Sequence, residues 1–257
     1  MNHIKLSDFS YLDNKDYSLE ETYRATLNRL RDIGEYEIVW GPVFSGKTSN
    51  SANLLYIVKE KDTYLVIIRG TNFKSLFDLF MESSRLKLVS FSDFDKDCPT
   101  NAKISKGLAT ALDIILSLKD KIILREFLKG KKTKFIGHSL GGSLAMLMAV
   151  IYKSSAFAWG AFTPGNDILA EYAKDLDITR IVNKLDIVTH FFDDMSILKS
   201  IYFPEMPNRV FSIGLNFLDK VSYGNYFFFG KEVLIESKLQ GLSYLEEASY
   251  QHTNAYF

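Results

Sequence analysis

The chain has 257 residues, 47% hydrophobic and 14% aromatic, enough for a large core in one α/β domain spanning residues 1–257. Its 31 basic and 31 acidic residues cancel, so bulk electrostatics favour neither nucleic acid nor an anionic surface. The single cysteine, Cys98, excludes an internal disulfide and a cysteine-based metal cluster. No apolar run approaches a membrane span, and the opening MNHIKLSDFSYLDNKDYS has no apolar core of a secretory signal. The expectation is a cytoplasmic protein without a transmembrane segment, with export by a signal-independent route left open.

Residues 1–35 read as a leading helical segment. Ser18-Leu19-Glu20-Glu21 is a capping box, Tyr23, Leu27 and Leu30 recur at helical spacing, and Gly34 stops the run. Glu37 to Trp40 read as a strand. Gly41 to Thr48 then fits the phosphate-loop pattern G-x-x-x-x-G-K-[ST] letter for letter. A true phosphate loop passes straight into a helix, whereas Ser49 to Asn53 is a poor helix start and Leu54 to Val58 has strand character. A Gly-bearing β-turn with an exposed Lys47 is the better reading. Tyr64 to Ile68, apolar throughout, reads as a strand buried on both faces, and it runs into Arg69-Gly70-Thr71.

Phe73, Leu76, Phe77 and Phe80 form one apolar helical stripe. Spacing alone fits core packing at least as well as a substrate-facing role. Leu86 to Phe91 reads as a short strand and Ser92 to Asn101 as a loop. Helical stretches follow at Lys106 to Leu116 and about Lys121 to Leu128.

The most informative stretch is Lys132 to Gly142. An apolar strand ends in Gly137-His138-Ser139-Leu140-Gly141, and a long helix-forming run follows at once. This is the G-x-S-x-G elbow in its required context of strand, sharp turn and helix. Gly137 and Gly141 make room where strand and helix backbones approach. The Leu140 N–H lies at a helix N-terminus, where free donors favour a developing oxyanion.

Arg69-Gly70-Thr71 at a strand end, followed by Gly137-His138-Ser139-Leu140-Gly141-Gly142, resembles the class 3 lipase family, the fungal triacylglycerol lipase-like branch of the α/β-hydrolases. The resemblance covers about residues 36–257. It implies an α/β-hydrolase fold, a mostly parallel central sheet flanked by helices on both faces. It further implies hydrolysis of carboxylic esters of lipids, without metal or organic cofactor, and a lipid or other acyl-ester partner with transient lipid-interface contact. In the family the Thr71 position supplies the first oxyanion donor and the residue after the nucleophile, here Leu140, the second. A lid or acyl-pocket wall lies where Phe73, Leu76, Phe77 and Phe80 stand, and His138 beside the nucleophile joins that tentative pocket set. The family's histidine before Gly107 is missing here.

Beyond the elbow, Ala156 to Gly160 reads as a strand and Ala161 to Asn166 as a shortened form of the family's Pro-Gly-Asn turn. Ile178 to Asn183 is a further strand, followed by Lys184-Leu185-Asp186-Ile187-Val188. A carboxylate at a strand's C-terminal end can reach a histidine ring. Asp186 matches the family's acid, with Asp193 and Asp194 as alternatives. Residues from about 191 to 229 read as a cap or pocket insertion, with satellite core packing equally open. Tyr226 to Ile235 reads as a closing β-pair. Near the end, His252 with Tyr256-Phe257 matches the family's base segment, with His190 as runner-up. The order Ser139, Asp186, His252 is that of the α/β-hydrolases. A catalytically silent lipid-binding or protein-interaction module on the same fold is the competing reading.

Overall fold

The structure is a computed structural model that describes residues 5–6, 18–34, 36–45, 54–70, 87–190 and 226–256. Helix α1 (Leu19–Arg31) starts at the capping box, where Ser18 Oγ accepts from the Glu21 N–H at 3.3 Å and Glu21 Oε2 accepts from the Ser18 N–H at 2.8 Å. Strand β1 (Glu37–Phe44) leads to the hairpin of β2 (Leu54–Glu60) and β3 (Thr63–Ile68), turned at Lys61-Asp62. Strands β4 (Leu88–Ser90) and β5 (Lys103–Ser105) pair with each other in a small separate sheet. Helices α2 (Lys106–Leu116) and α3 (Leu124–Leu128) precede β6 (Thr133–His138) and α4 (Leu140–Tyr152). Strand β7 (Ser155–Trp159), helix α5 (Asp167–Ala173), β8 (Ile178–Asn183), β9 (Lys231–Ile235) and helix α6 (Tyr244–Thr253) complete the chain.

The larger sheet has the order β1-β2-β3-β6-β7-β8-β9. The first two pairings are antiparallel, and every pairing from β3 to β9 is parallel. Successive side chains of a strand point to opposite faces, and here both faces are covered. On one face Leu55, Ile57, Val66, Ile68 and Phe135 meet α2, α4 and α5. On the other Leu54, Tyr56, Val58, Leu65, Ile67 and Ile136 meet Leu30 of α1 and Tyr256. That is why residues 54–58 of β2 and 64–68 of β3 read as continuous apolar runs. Helix α4 lies on the sheet and is buried from Leu140 to Val150 without interruption, which explains why its apolar residues show no single stripe.

Three local expectations change. Gly41 to Phe44, the start of the phosphate-loop match, is not a turn but the second half of β1, whose register against β2 shifts on either side of Trp40. Lys47 lies outside the described residues. Tyr226 to Ile235 is not a β-pair: β9 alone is a strand and pairs in parallel with β8, while Phe227 makes only an isolated bridge to Gly165. Period and turn residues identify a strand, but its partner is chosen by the sheet. Helices α5 and α6 were not expected. Both carried local signals, Asn166 as a side-chain cap for Leu169 and a capping box at Ser243 with Glu246. Of the 191–229 insertion, only 226–229 is described.

Candidate active site

The elbow places Ser139 at φ +57°, ψ −128°, a conformation rare for a residue with a Cβ, at the junction of β6 and α4. The turn closes because its flanking residues lack side chains. A Cβ on Gly137 would collide with the Gly141 carbonyl, and one on Gly141 with the Ile68 carbonyl of β3. Strands β3 and β6 are direct neighbours, with Ile68 opposite Gly137. The end of β3, where Arg69 and Gly70 lie, is thereby packed against the first turn of α4. The Leu140 N–H stands at the N-terminus of this thirteen-residue helix.

Asp186 follows β8 in a tight turn whose own backbone closes around it. The Asp186 N–H donates to the Asn183 carbonyl at 3.0 Å, and the Thr189 hydroxyl donates to the Asp186 carbonyl at 2.9 Å. Asp186 Oδ1 accepts from the Val188 N–H at 2.9 Å, and Oδ2 accepts from the Tyr256 hydroxyl at 2.7 Å. The carboxyl group is wholly buried, and these donors meet the need of a buried charge for partners.

His252 arrives from the other side, in the last turn of α6. Its Nδ1 lies 2.9 Å from Asp186 Oδ2 and its Nε2 2.8 Å from Ser139 Oγ. A carboxylate only accepts, so Nδ1 carries the proton and Nε2 is left to accept from the serine hydroxyl. Hydroxyl, imidazole and carboxylate, contributed by three separated segments, thus form one continuous hydrogen-bonded line.

Burial tunes the neighbours. Tyr256 has its phenol pushed well above the ordinary value, by burial first and then by the Asp186 charge, against the Asn183 amide that donates to it at 3.0 Å. It therefore stays a proton donor to the acid. His138 is buried beneath the base, and its Nε2–H donates to the His252 backbone carbonyl at 2.8 Å. Burial, and secondarily the nearby His252, hold its pKa well below the ordinary histidine value, so the ring is neutral. Gly160, at φ +56°, passes these rings so closely that a Cβ would stand 2.9 Å from His138 Nε2 and 3.3 Å from His252 Cε1.

Thr71, Phe73, Leu76, Phe77 and Phe80 lie outside the described residues, as do Asp193 and Asp194. His190 is described and is not part of the hydrogen-bonded line; its Nε2 is buried and has no hydrogen-bond partner among the described residues. Among the described residues no cluster of three or more His, Cys, Asp or Glu side chains is placed to hold a metal ion, and no helix is long and apolar enough to cross a membrane.

Several solved structures share the fold. The M37 lipase superposes with a TM-score of 0.83 at 23% identity, covering 99% of this chain and 90% of that protein. Lip2 lipase from Yarrowia lipolytica gives 0.59 at 15% identity, covering 91% and 76%. A lipase from Rhizopus microsporus var. chinensis gives 0.53 at 21% identity, covering 82% of this chain and 64% of that one, so the chain spans somewhat under two-thirds of that enzyme. Among curated proteins none matches the chain by sequence. The family described as lipase (class 3) matches residues 65–195, from β3 through the elbow to the acid turn and just over half of the chain; the protein belongs to the class 3 lipase family.

Proposed function

We propose that the protein is a serine hydrolase that cleaves carboxylic ester bonds of lipids through an acyl-enzyme on Ser139. The observation that carries this reading is the 2.8 Å approach of His252 Nε2 to Ser139 Oγ, with Asp186 behind the same ring. Membership of a lipase family supports ester hydrolysis as the reaction class.

In this reading His252 takes the Ser139 proton as the hydroxyl oxygen attacks the ester carbonyl. The carbonyl oxygen becomes an oxyanion bound by the Leu140 N–H and by Thr71. As the tetrahedral intermediate collapses, His252 Nε2–H protonates the departing alcohol. Water then gives its proton to His252 and attacks the acyl-enzyme, which releases the carboxylic acid and restores the Ser139 hydroxyl. Asp186 orients the ring and offsets the charge of the imidazolium. Each oxyanion donor contributes on the order of 3 kcal/mol to the transition state. Phe73, Leu76, Phe77 and Phe80, directly after Thr71, are assigned to the acyl side of the site as lid or pocket wall.

The test is hydrolysis of p-nitrophenyl esters of graded chain length, with Ser139→Ala as control, together with fluorophosphonate labelling. A Ser139 adduct and ester turnover abolished by Ser139→Ala are expected. Folded protein that forms no adduct and turns over no ester would leave the silent-module reading in its place. A jump in rate once the ester exceeds its aggregation threshold would support the lid.

A further inference from the structure

Helix α6 has ten residues, too few to hold its own position by helix propensity. Among its described side chains the buried ones are Glu247, Ala248, Gln251 and His252. Ala248 is apolar and the other three are polar, and buried polar groups need directional hydrogen bonds, which constrain how the helix is rotated on the sheet.

Those bonds converge on Gln251, which is wholly buried. Its Nε2 donates to Glu247 Oε1 at 2.7 Å and to the Lys238 carbonyl at 2.9 Å. Its Oε1 and its backbone carbonyl both accept from Asn183 Nδ2, at 3.0 and 2.9 Å. Asn183 in turn receives the Asp186 N–H at its carbonyl and the Leu185 N–H at its Oδ1. Glu247, on the far side, is pinned by the Gln240 N–H at 2.9 Å. One amide therefore ties the residue before the base to the strand end that carries the acid.

We propose that Gln251 is a positioning residue: held between Asn183 and Glu247, it sets the rotation of α6 that brings His252 into line with Asp186 and Ser139. It touches no reacting atom and acts through the base. This inference rests on the catalytic reading above.

The experiment compares wild type with Gln251→Met, which keeps length and removes every side-chain hydrogen bond. Monomeric folded protein is isolated by size exclusion. Its labelling rate with a fluorophosphonate and its kcat and KM on p-nitrophenyl butyrate are then measured per folded molecule. Labelling and kcat are expected to fall at least tenfold with KM unchanged. A residue that only stabilises would reduce the folded yield and leave the rate per folded molecule as in wild type; that result overturns the proposal. Should Gln251→Met not fold, Glu247→Gln, which removes the charged anchor alone, must show the same loss of kcat at constant KM, and a wild-type kcat there equally overturns it. Wild-type protein that does not label would instead strike down the catalytic reading itself.

Discussion

The rings of His138 and His252 lie 4.8 Å apart between centroids, tilted by 34°, and the first holds the backbone of the second through its Nε2–H. One imidazole is thus placed for chemistry, while its neighbour is a buried, neutral support.

That neutrality has a measurable cost at low pH. Burial keeps the His138 pKa well below 6.5, whereas in the unfolded chain the ring takes up a proton near that value. Below about pH 6.5 the unfolded state binds more protons, so this group's contribution to stability is present above that pH and lost as pH falls, by up to ~1.4 kcal/mol per pH unit. In urea unfolding at pH 5 to 8, His138→Phe is expected to show a shallower acid-side slope by about one proton. Its stability at pH 8 should fall by about 1–3 kcal/mol, because the His252 carbonyl loses its donor. Superimposable slopes would refute the assignment.

Tyr256 serves the acid and the strand end at once, donating to Asp186 and accepting from Asn183. Tyr256→Phe leaves a buried amide without an acceptor and a carboxylate short of one donor. The expected loss is about 1–3 kcal/mol of stability. On a soluble short-chain ester kcat should fall by about tenfold, equivalent to ~1.4 kcal/mol. A variant with wild-type kcat would show that the acid holds its place without the phenol.

Gly160 and Gly130 separate strain from crowding. Both have positive φ, +56° and +71°, but a Cβ on Gly130 meets nothing within 4 Å, whereas one on Gly160 meets both imidazoles. Each alanine variant should lose roughly 1–2 kcal/mol to backbone strain. Only Gly160→Ala is expected to slow fluorophosphonate labelling, by at least tenfold. Equal labelling of the two variants would contradict the packing described around His252.

Cys98 provides an internal reporter of opening. Its thiol is buried, and burial together with the neighbouring Asp95 charge pushes its pKa up to about 11, against the partial relief from Lys153. At pH 8 the native protein should resist thiol-specific reagents and react fully in denaturant. Rapid modification of native protein would mean that the loop around residues 92–98 opens readily.

Much of this molecule could be read from its sequence, for reasons that differ by element. The elbow was legible because local backbone crowding demands Gly137 and Gly141 on either side of Ser139. β3 was legible because a strand covered on both faces leaves a continuous apolar run. The partner of β9 was not, since its five residues carry no mark of the strand beside them. Nor was the burial of His138 beneath the base, which depends on a helix arriving from more than a hundred residues away. Gln251 and Asn183 were invisible for the same reason: a polar pair shows no periodicity, and only the folded sheet brings them together. Helix α6 was missed despite its capping box at Ser243 and Glu246, because its polar buried face breaks the apolar stripe by which helices are recognised.

The continuous burial of α4 also bears on how the protein behaves when it fails. A segment from Leu140 to Val150 with no solvent-facing side finds no satisfactory state in water once the sheet beneath it melts. The heated chain is therefore expected to clump rather than revert, with turbidity rising alongside loss of activity. Storage lifetime will follow the rate of opening, and recovery from denaturant will improve as the chain is diluted.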